Sequence, residues 1–209
     1  MAARADRVDA AGAARLCELA YLDELAHPAE VAAYIRGEVE ELNEIRAGDV
    51  RVFVVQTNPN IWVAFRGTQF ENKRSALRNF RYHLSDENGY LVHSAFAAGR
   101  DSVWDFVRDV VSNSRKAPVF VGHSQGGAFA TLAAVRLLAL SINGDRSILR
   151  PRVYTFAAPR VGDDKFAALV EIMAHGGRVR RFTTSNDIVP RLPFSAWGYS
   201  HGVAESYLN

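Results

Sequence analysis

The hydrophobic rhythm of the chain changes near residue 50. Over residues 5–46 Ala, Leu and Glu dominate, and His27-Pro28 breaks what reads as two helical segments. Val52, Phe53, Val54 and Val55 then form a strand-like run closed by Asn58-Pro59-Asn60. Ile61, Trp62, Val63, Ala64 and Phe65 make a second run, so the two predict a hairpin. A polar, arginine-bearing stretch covers residues 67–89. Phe96, Val103, Phe106, Val107 and Val110 recur at helical spacing after it.

The second half alternates. Val119-Phe120-Val121 predicts a strand, residues 128–140 a buried helix, residues 153–156 a strand and residues 166–173 a helix. Residues 179–183 predict another strand, and a short last one is expected near residues 203–207. Strands alternating with helices imply a mostly parallel central sheet with helices on both faces, an α/β fold. The run 128–140 contains Thr131 and Arg136 and falls short of the roughly 18 apolar residues that span a membrane, so it reads as a core helix.

With 209 residues the chain is read as one domain over 1–209, led by the helical segment of about 5–46. The one cysteine, Cys17, lies in a helix-like run and reads as a structural thiol of a reducing compartment. The first seven residues lack the apolar stretch of a secretory signal, and the expectation from this is a cytoplasmic protein. Residues 1–49 hold 5 basic and 11 acidic side chains, and residues 50–209 hold 20 and 12. That asymmetry fits an acidic helical arm packed on a basic body. No basic run is interleaved with aromatics, which argues against nucleic acid as a partner.

Chemistry concentrates at Gly122-His123-Ser124-Gln125-Gly126-Gly127, set between the predicted strand and the buried helix. This is a G-x-S-x-G turn in strand–turn–helix context. Its glycines make room for a strained serine held above the sheet, near a helix N-terminus that favours negative charge. A serine needs a base that a third group orients, and in this fold the chain order is Ser, acid, His.

Two histidines follow Ser124. His175 lies at a predicted helix end, where a histidine serves the last carbonyls. His201, in Gly198-Tyr199-Ser200-His201-Gly202, is the expected general base. Asp187, following the strand that ends near Thr183, is the expected orienting acid. Asp163 and Asp164 precede a helix and read as caps. His123 is expected to pack under the turn, His93 to act structurally, and His27 and His83 to lie on the surface or a lid. The oxyanion would take the backbone N–H of Gln125 and a donor from Thr68, in the loop after the second hairpin strand.

These segments together resemble the class 3 lipases, the fungal-type lipase-like α/β-hydrolases. The resemblance is carried by Phe65-Arg66-Gly67-Thr68, Val92-His93 with Ala95-Phe96, the Ser124 turn, and Tyr154-Thr155-Phe156-Ala157-Ala158-Pro159-Arg160-Val161-Gly162-Asp163. It continues through Asn186-Asp187-Ile188-Val189-Pro190-Arg191-Leu192-Pro193 and Tyr199-Ser200-His201. It implies hydrolysis of triacylglycerol or a related acylglycerol with no metal and no cofactor. It also implies a Ser124–Asp187–His201 triad and a Thr68–Gln125 oxyanion hole. A phospholipase or a short-chain esterase on the same triad is the alternative reading, and a catalytically inactive binding protein a further one.

The resemblance also implies a lid at about residues 70–88. There Leu77, Phe80 and Leu84 fall at helical spacing beside Arg74, Arg78 and Arg81, a pattern suited to transient contact with a lipid interface. Gln125 stands where the family usually has Leu, which makes the nearby pocket more polar.

Overall fold

In the computed structural model, the described residues are 2–22, 27–35, 38–67, 83–142 and 150–208. Two helices, α1 (Ala2–Leu19) and α2 (Pro28–Ile35), lead into three antiparallel strands, β1 (Glu41–Ala47), β2 (Val50–Gln56) and β3 (Asn60–Phe65). A separate hairpin follows, β4 (Leu84–Glu87) and β5 (Tyr90–His93), and then α3 (Ser94–Ser114). The remaining elements are β6 (Ala117–His123), α4 (Gln125–Ile142), β7 (Arg152–Phe156), α5 (Asp164–Ala174), β8 (Val179–Thr183) and β9 (Glu205–Tyr207). The main sheet runs β1-β2-β3-β6-β7-β8-β9, with β3, β6, β7, β8 and β9 parallel. This is the α/β-hydrolase arrangement that the alternating pattern predicts.

Both faces of the sheet are buried, and the two-residue period of the strands divides their side chains between two cores. Val52, Val54, Ile61, Val63, Phe65, Phe120, Val153 and Val179 face α3, α4 and α5. Phe53, Val55, Trp62, Ala64, Val119, Val121 and Tyr154 face the other way, onto Ala13, Leu16, Cys17 and Ala20 of α1 and Val31 of α2. Helix α4 is apolar and long enough to cross a membrane by composition, but it lies packed on the sheet, with Leu132 and Leu137 buried.

Two local expectations are corrected. The helical arm of about 5–46 ends early, because residues 41–47 form the edge strand β1. Gly48, at φ +57°, turns that strand into β2, pairing Ala47 with Val50. The strand escapes detection because its side chains are mostly polar, as an exposed edge allows. Leu84, expected on an amphipathic lid helix, belongs instead to β4. Asn88 and Gly89, both at positive φ, turn the chain into β5. The rest of that segment, residues 70–82, lies outside the described residues.

Candidate active site

Ser124 sits between the last residue of β6 and the first of α4, in the left-handed region at φ +55°. Such a conformation costs a non-glycine residue free energy and persists only where the surroundings enforce it. Here they do. A Cβ on Gly122 would lie 2.2 Å from the carbonyl oxygen of Gly126, and one on Gly126 would lie 2.2 Å from that of Phe65. Only hydrogen fits at either flank, so strand and helix close tightly around the serine. Its backbone N–H donates to Phe156 O at 2.8 Å, and its carbonyl accepts from Gly127 N at 3.0 Å.

Gln125 opens α4, so its N–H belongs to the first turn, where backbone donors make no bond within the helix and favour negative charge. The loop leaving β3 passes close by. A Cβ on Gly67 would stand 2.3 Å from the Tyr21 hydroxyl, 2.5 Å from His123 O and 3.4 Å from Ser124 Cβ. Thr68, the expected second oxyanion donor, lies outside the described residues.

Tyr21 is a participant that no pattern in the chain singles out. It follows α1, and its hydroxyl shares a 2.8 Å hydrogen bond with His123 Nδ1. Burial pushes the phenol up to about 12, so it stays neutral. Beside this pair is a cleft of about 280 Å3 lined by Ala14, Cys17, Glu18, Tyr21, His123 and Phe156. Burial likewise raises the Cys17 thiol, which keeps it un-ionised and unfit as a nucleophile.

Asp187 stands at the carboxyl end of β8, two strands across from β6. Its carboxylate accepts from Val189 N at 2.9 Å, and its own N–H donates to Thr184 O at 3.2 Å. Ser124 and Asp187 therefore emerge at the same end of the parallel strands, where ligands of such sheets bind.

His201 is not brought to them. It precedes β9, which runs parallel to β8, so the chain passes it before entering the strand. Its Nε2 lies 2.7 Å from Pro190 O and 2.9 Å from Arg181 Nη2. Among the described residues no hydrogen bond links it to Ser124 or Asp187. Desolvation, with the Arg181 guanidinium beside it, pulls the imidazole down to about 3. Of the three residues expected to form a triad, Ser124 and Asp187 stand at one end of the sheet, while His201 makes its hydrogen bonds elsewhere.

The other histidines behave structurally. His93 is buried, stacked 4.2 Å from Phe96, and held down to about 4 by desolvation. His175 follows α5 and donates its N–H to Ile172 O. Asp163 caps α5 by accepting from Phe166 N at 2.9 Å. His27 and His83 are exposed. Among the described residues, no three His, Cys, Asp or Glu side chains gather as ligands for a metal.

Comparison with known proteins agrees with this geometry. A family model described as lipase (class 3) matches residues 62–197. Secreted mono- and diacylglycerol lipase A of Penicillium cyclopium is 34% identical over 167 residues, covering 75% of this chain and 50% of that protein. Secreted mono- and diacylglycerol lipase 1 of Fusarium solani is 34% identical over 157 residues, covering 71% and 44%. The chain thus spans about half the length of the curated relatives it matches.

The crystal structure of the lipase from Rhizopus microsporus var. chinensis superposes with a TM-score of 0.78 at 25% identity, covering 100% of this chain and 75% of that one. The expected cytoplasmic location is corrected by these relatives, which are named as secreted proteins. The family model spans well over half of the chain and the relatives agree with it, so the chain belongs to the class 3 lipase family.

Proposed function

We propose that this chain carries the nucleophile and the acid of a serine carboxylic ester hydrolase acting on acylglycerols. The observation that supports it most is Ser124 held at φ +55° between β6 and α4, at the N-terminus of a buried helix. In the proposed reaction Ser124 Oγ attacks the ester carbonyl and its proton passes to a general base on the side of Asp187. The carbonyl oxygen, now negative, accepts from Gln125 N–H and from a donor at Thr68. The alcohol leaves with the proton, and water then releases the acid from the acyl-serine.

Mono- and diacylglycerols are the proposed substrates, as they are named for the relatives above. Gln125 supports this choice, because a polar side chain beside the nucleophile suits substrates that keep a free hydroxyl. The mainly apolar cleft beside Tyr21 offers room for alkyl chain. A short-chain esterase is the second reading, and the same cleft, which is small, favours it.

Both are tested by one experiment: turnover of mono-, di- and triacylglycerols and of p-nitrophenyl esters of increasing chain length, below and above the micelle threshold. Preference for partial glycerides is the expected result. Activity confined to monomeric short esters would replace the lipase reading with the esterase one. Absence of any turnover by this chain would defeat both.

A further inference from the structure

We infer that His201 is a positioning residue that fastens the loop bearing Asp187 to β8, and that it is not the group that takes the proton of Ser124. The inference rests on the proposed roles of Ser124 and Asp187.

The tautomer carries the argument. A carbonyl oxygen only accepts, so a 2.7 Å contact to Pro190 O requires the proton on Nε2. With that proton in place Nε2 has no lone pair to accept from Arg181, whose Nη2 at 2.9 Å is then a close cationic neighbour. A triad base needs the opposite arrangement, with N–H on Nδ1 toward the acid and a bare Nε2 toward the serine.

The electrostatics point the same way. Desolvation, then Arg181 and Arg160, oppose a second proton on the ring, and they outweigh the Pro190 carbonyl and Glu205, which favour it. A general base must become imidazolium during the reaction, and next to Arg181 that form is disfavoured.

What the ring does in this place is mechanical. Arg181, on β8, donates through Nη1 to Val203 O at 2.6 Å and so holds the segment on the far side of His201. Ser200 N, on the near side, donates to Gly162 O at 2.8 Å. The imidazole, thus fixed, donates to Pro190 O, in the short helical turn Val189–Arg191 that begins two residues after Asp187. Arg160 grips the other end of the same loop, donating from its backbone to Leu192 O at 2.7 Å and from Nη1 to Pro193 O at 2.9 Å. The void that His201 borders, of about 20 Å3, is lined by Thr155, Phe166, Val170 and Arg181 among others, and touches neither Ser124 nor Asp187.

Glutamine separates the two roles, since its amide N–H can replace Nε2–H toward Pro190 O but cannot accept a proton at neutral pH. We expect His201→Gln to keep kcat on p-nitrophenyl butyrate within about threefold of wild type. His201→Ala should lower kcat about 10- to 100-fold with KM little changed, as expected when a catalytic group is misplaced. The acid limb of the kcat/KM profile between pH 5 and 8 should keep its midpoint in His201→Gln.

A loss of about 10⁴-fold or more in His201→Gln, or disappearance of that limb, would identify His201 as the base and overturn the inference. If His201→Ala does not fold, the glutamine variant decides alone. If the wild-type chain turns over no ester, the functional reading fails while the pin is still tested by 15N NMR of the imidazole. Nε2 protonated and Nδ1 bare, with no titration between pH 8 and 5, supports it. A midpoint near 6.5, or a proton on Nδ1, refutes it.

Discussion

Ser124 donates its backbone N–H to the carbonyl of Phe156, 2.8 Å away, so the turn that presents the serine is fastened to the carboxyl end of the neighbouring strand. The hydroxyl can therefore be removed without loosening the turn. Ser124→Ala should fold like wild type and lose about 10⁶-fold in kcat. A fluorophosphonate probe should label Ser124 and nothing else. Labelling retained in the alanine variant would place the nucleophile elsewhere.

The glycines around that turn fail differently. A methyl group at Gly126 would meet the backbone of Phe65, which cannot swing aside as a side chain can. Gly126→Ala should cost about 3 kcal/mol, lowering Tm by roughly 6–12 °C for a chain of this size, and abolish turnover with it. Calorimetry together with esterase activity checks both parts.

Tyr21 links α1 to the turn through His123, beside the loop at Gly67. Removing its hydroxyl takes this part-buried hydrogen bond from His123 Nδ1, at about 1 kcal/mol. Because the same group stands against the loop at Gly67, next to the proposed oxyanion donor, Tyr21→Phe should also lower kcat several-fold while KM holds. A stability loss with unchanged kcat would confine Tyr21 to packing.

The β4–β5 hairpin is tied to α3 through Arg100, whose side chain is 1% exposed and whose Nη1 donates to Glu87 at 2.9 Å. Asp101 shares the guanidinium at 2.8 Å. Glu87→Gln leaves a buried cation with one carboxylate fewer and should cost about 2 kcal/mol in urea unfolding. Arg100→Met with Glu87→Gln should cost less than Glu87→Gln alone, since the stranded charge is gone.

Acid should weaken the fold earlier than carboxylates alone would cause. His93 titrates near 4 and His201 near 3 in the folded chain, against an ordinary value of about 6.5. With both lowered, the unfolded chain binds protons first. Stability is full above about pH 6.5 and is lost as pH falls toward 4 and 3, at up to about 1.4 kcal/mol per pH unit for each ring. Urea midpoints at pH 7, 6 and 5 measure this, and a flat response would deny that the two rings are held neutral.

The serine turn was fully legible because its signal is local: apolar strand, glycines and apolar helix sit within some twenty residues. The antiparallel edge was less so. β1 is polar and falls inside the Ala- and Glu-rich stretch of about 5–46 that reads as helical, while the helical spacing of Leu77, Phe80 and Leu84 hides that Leu84 belongs to a hairpin. The contacts of His201 are hidden from the sequence for a deeper reason. Chain order selects histidines after the serine, but no pattern in sequence says that a carbonyl at Pro190 will claim the ring nitrogen, or that Arg181 will stand beside it. Tyr21 left no trace either, since its partner lies 102 residues away.

The left-handed backbone at Ser124 implies a conflict between durability and activity. An L-residue there forfeits about 1–2 kcal/mol that glycine would not, less the greater freedom that glycine has when unfolded. The fold spends part of its thermodynamic margin on aiming one hydroxyl. A Ser124→Gly chain, inert as an enzyme, should therefore outlast the working one in heat, and activity would be seen as something the molecule sustains against its own preference.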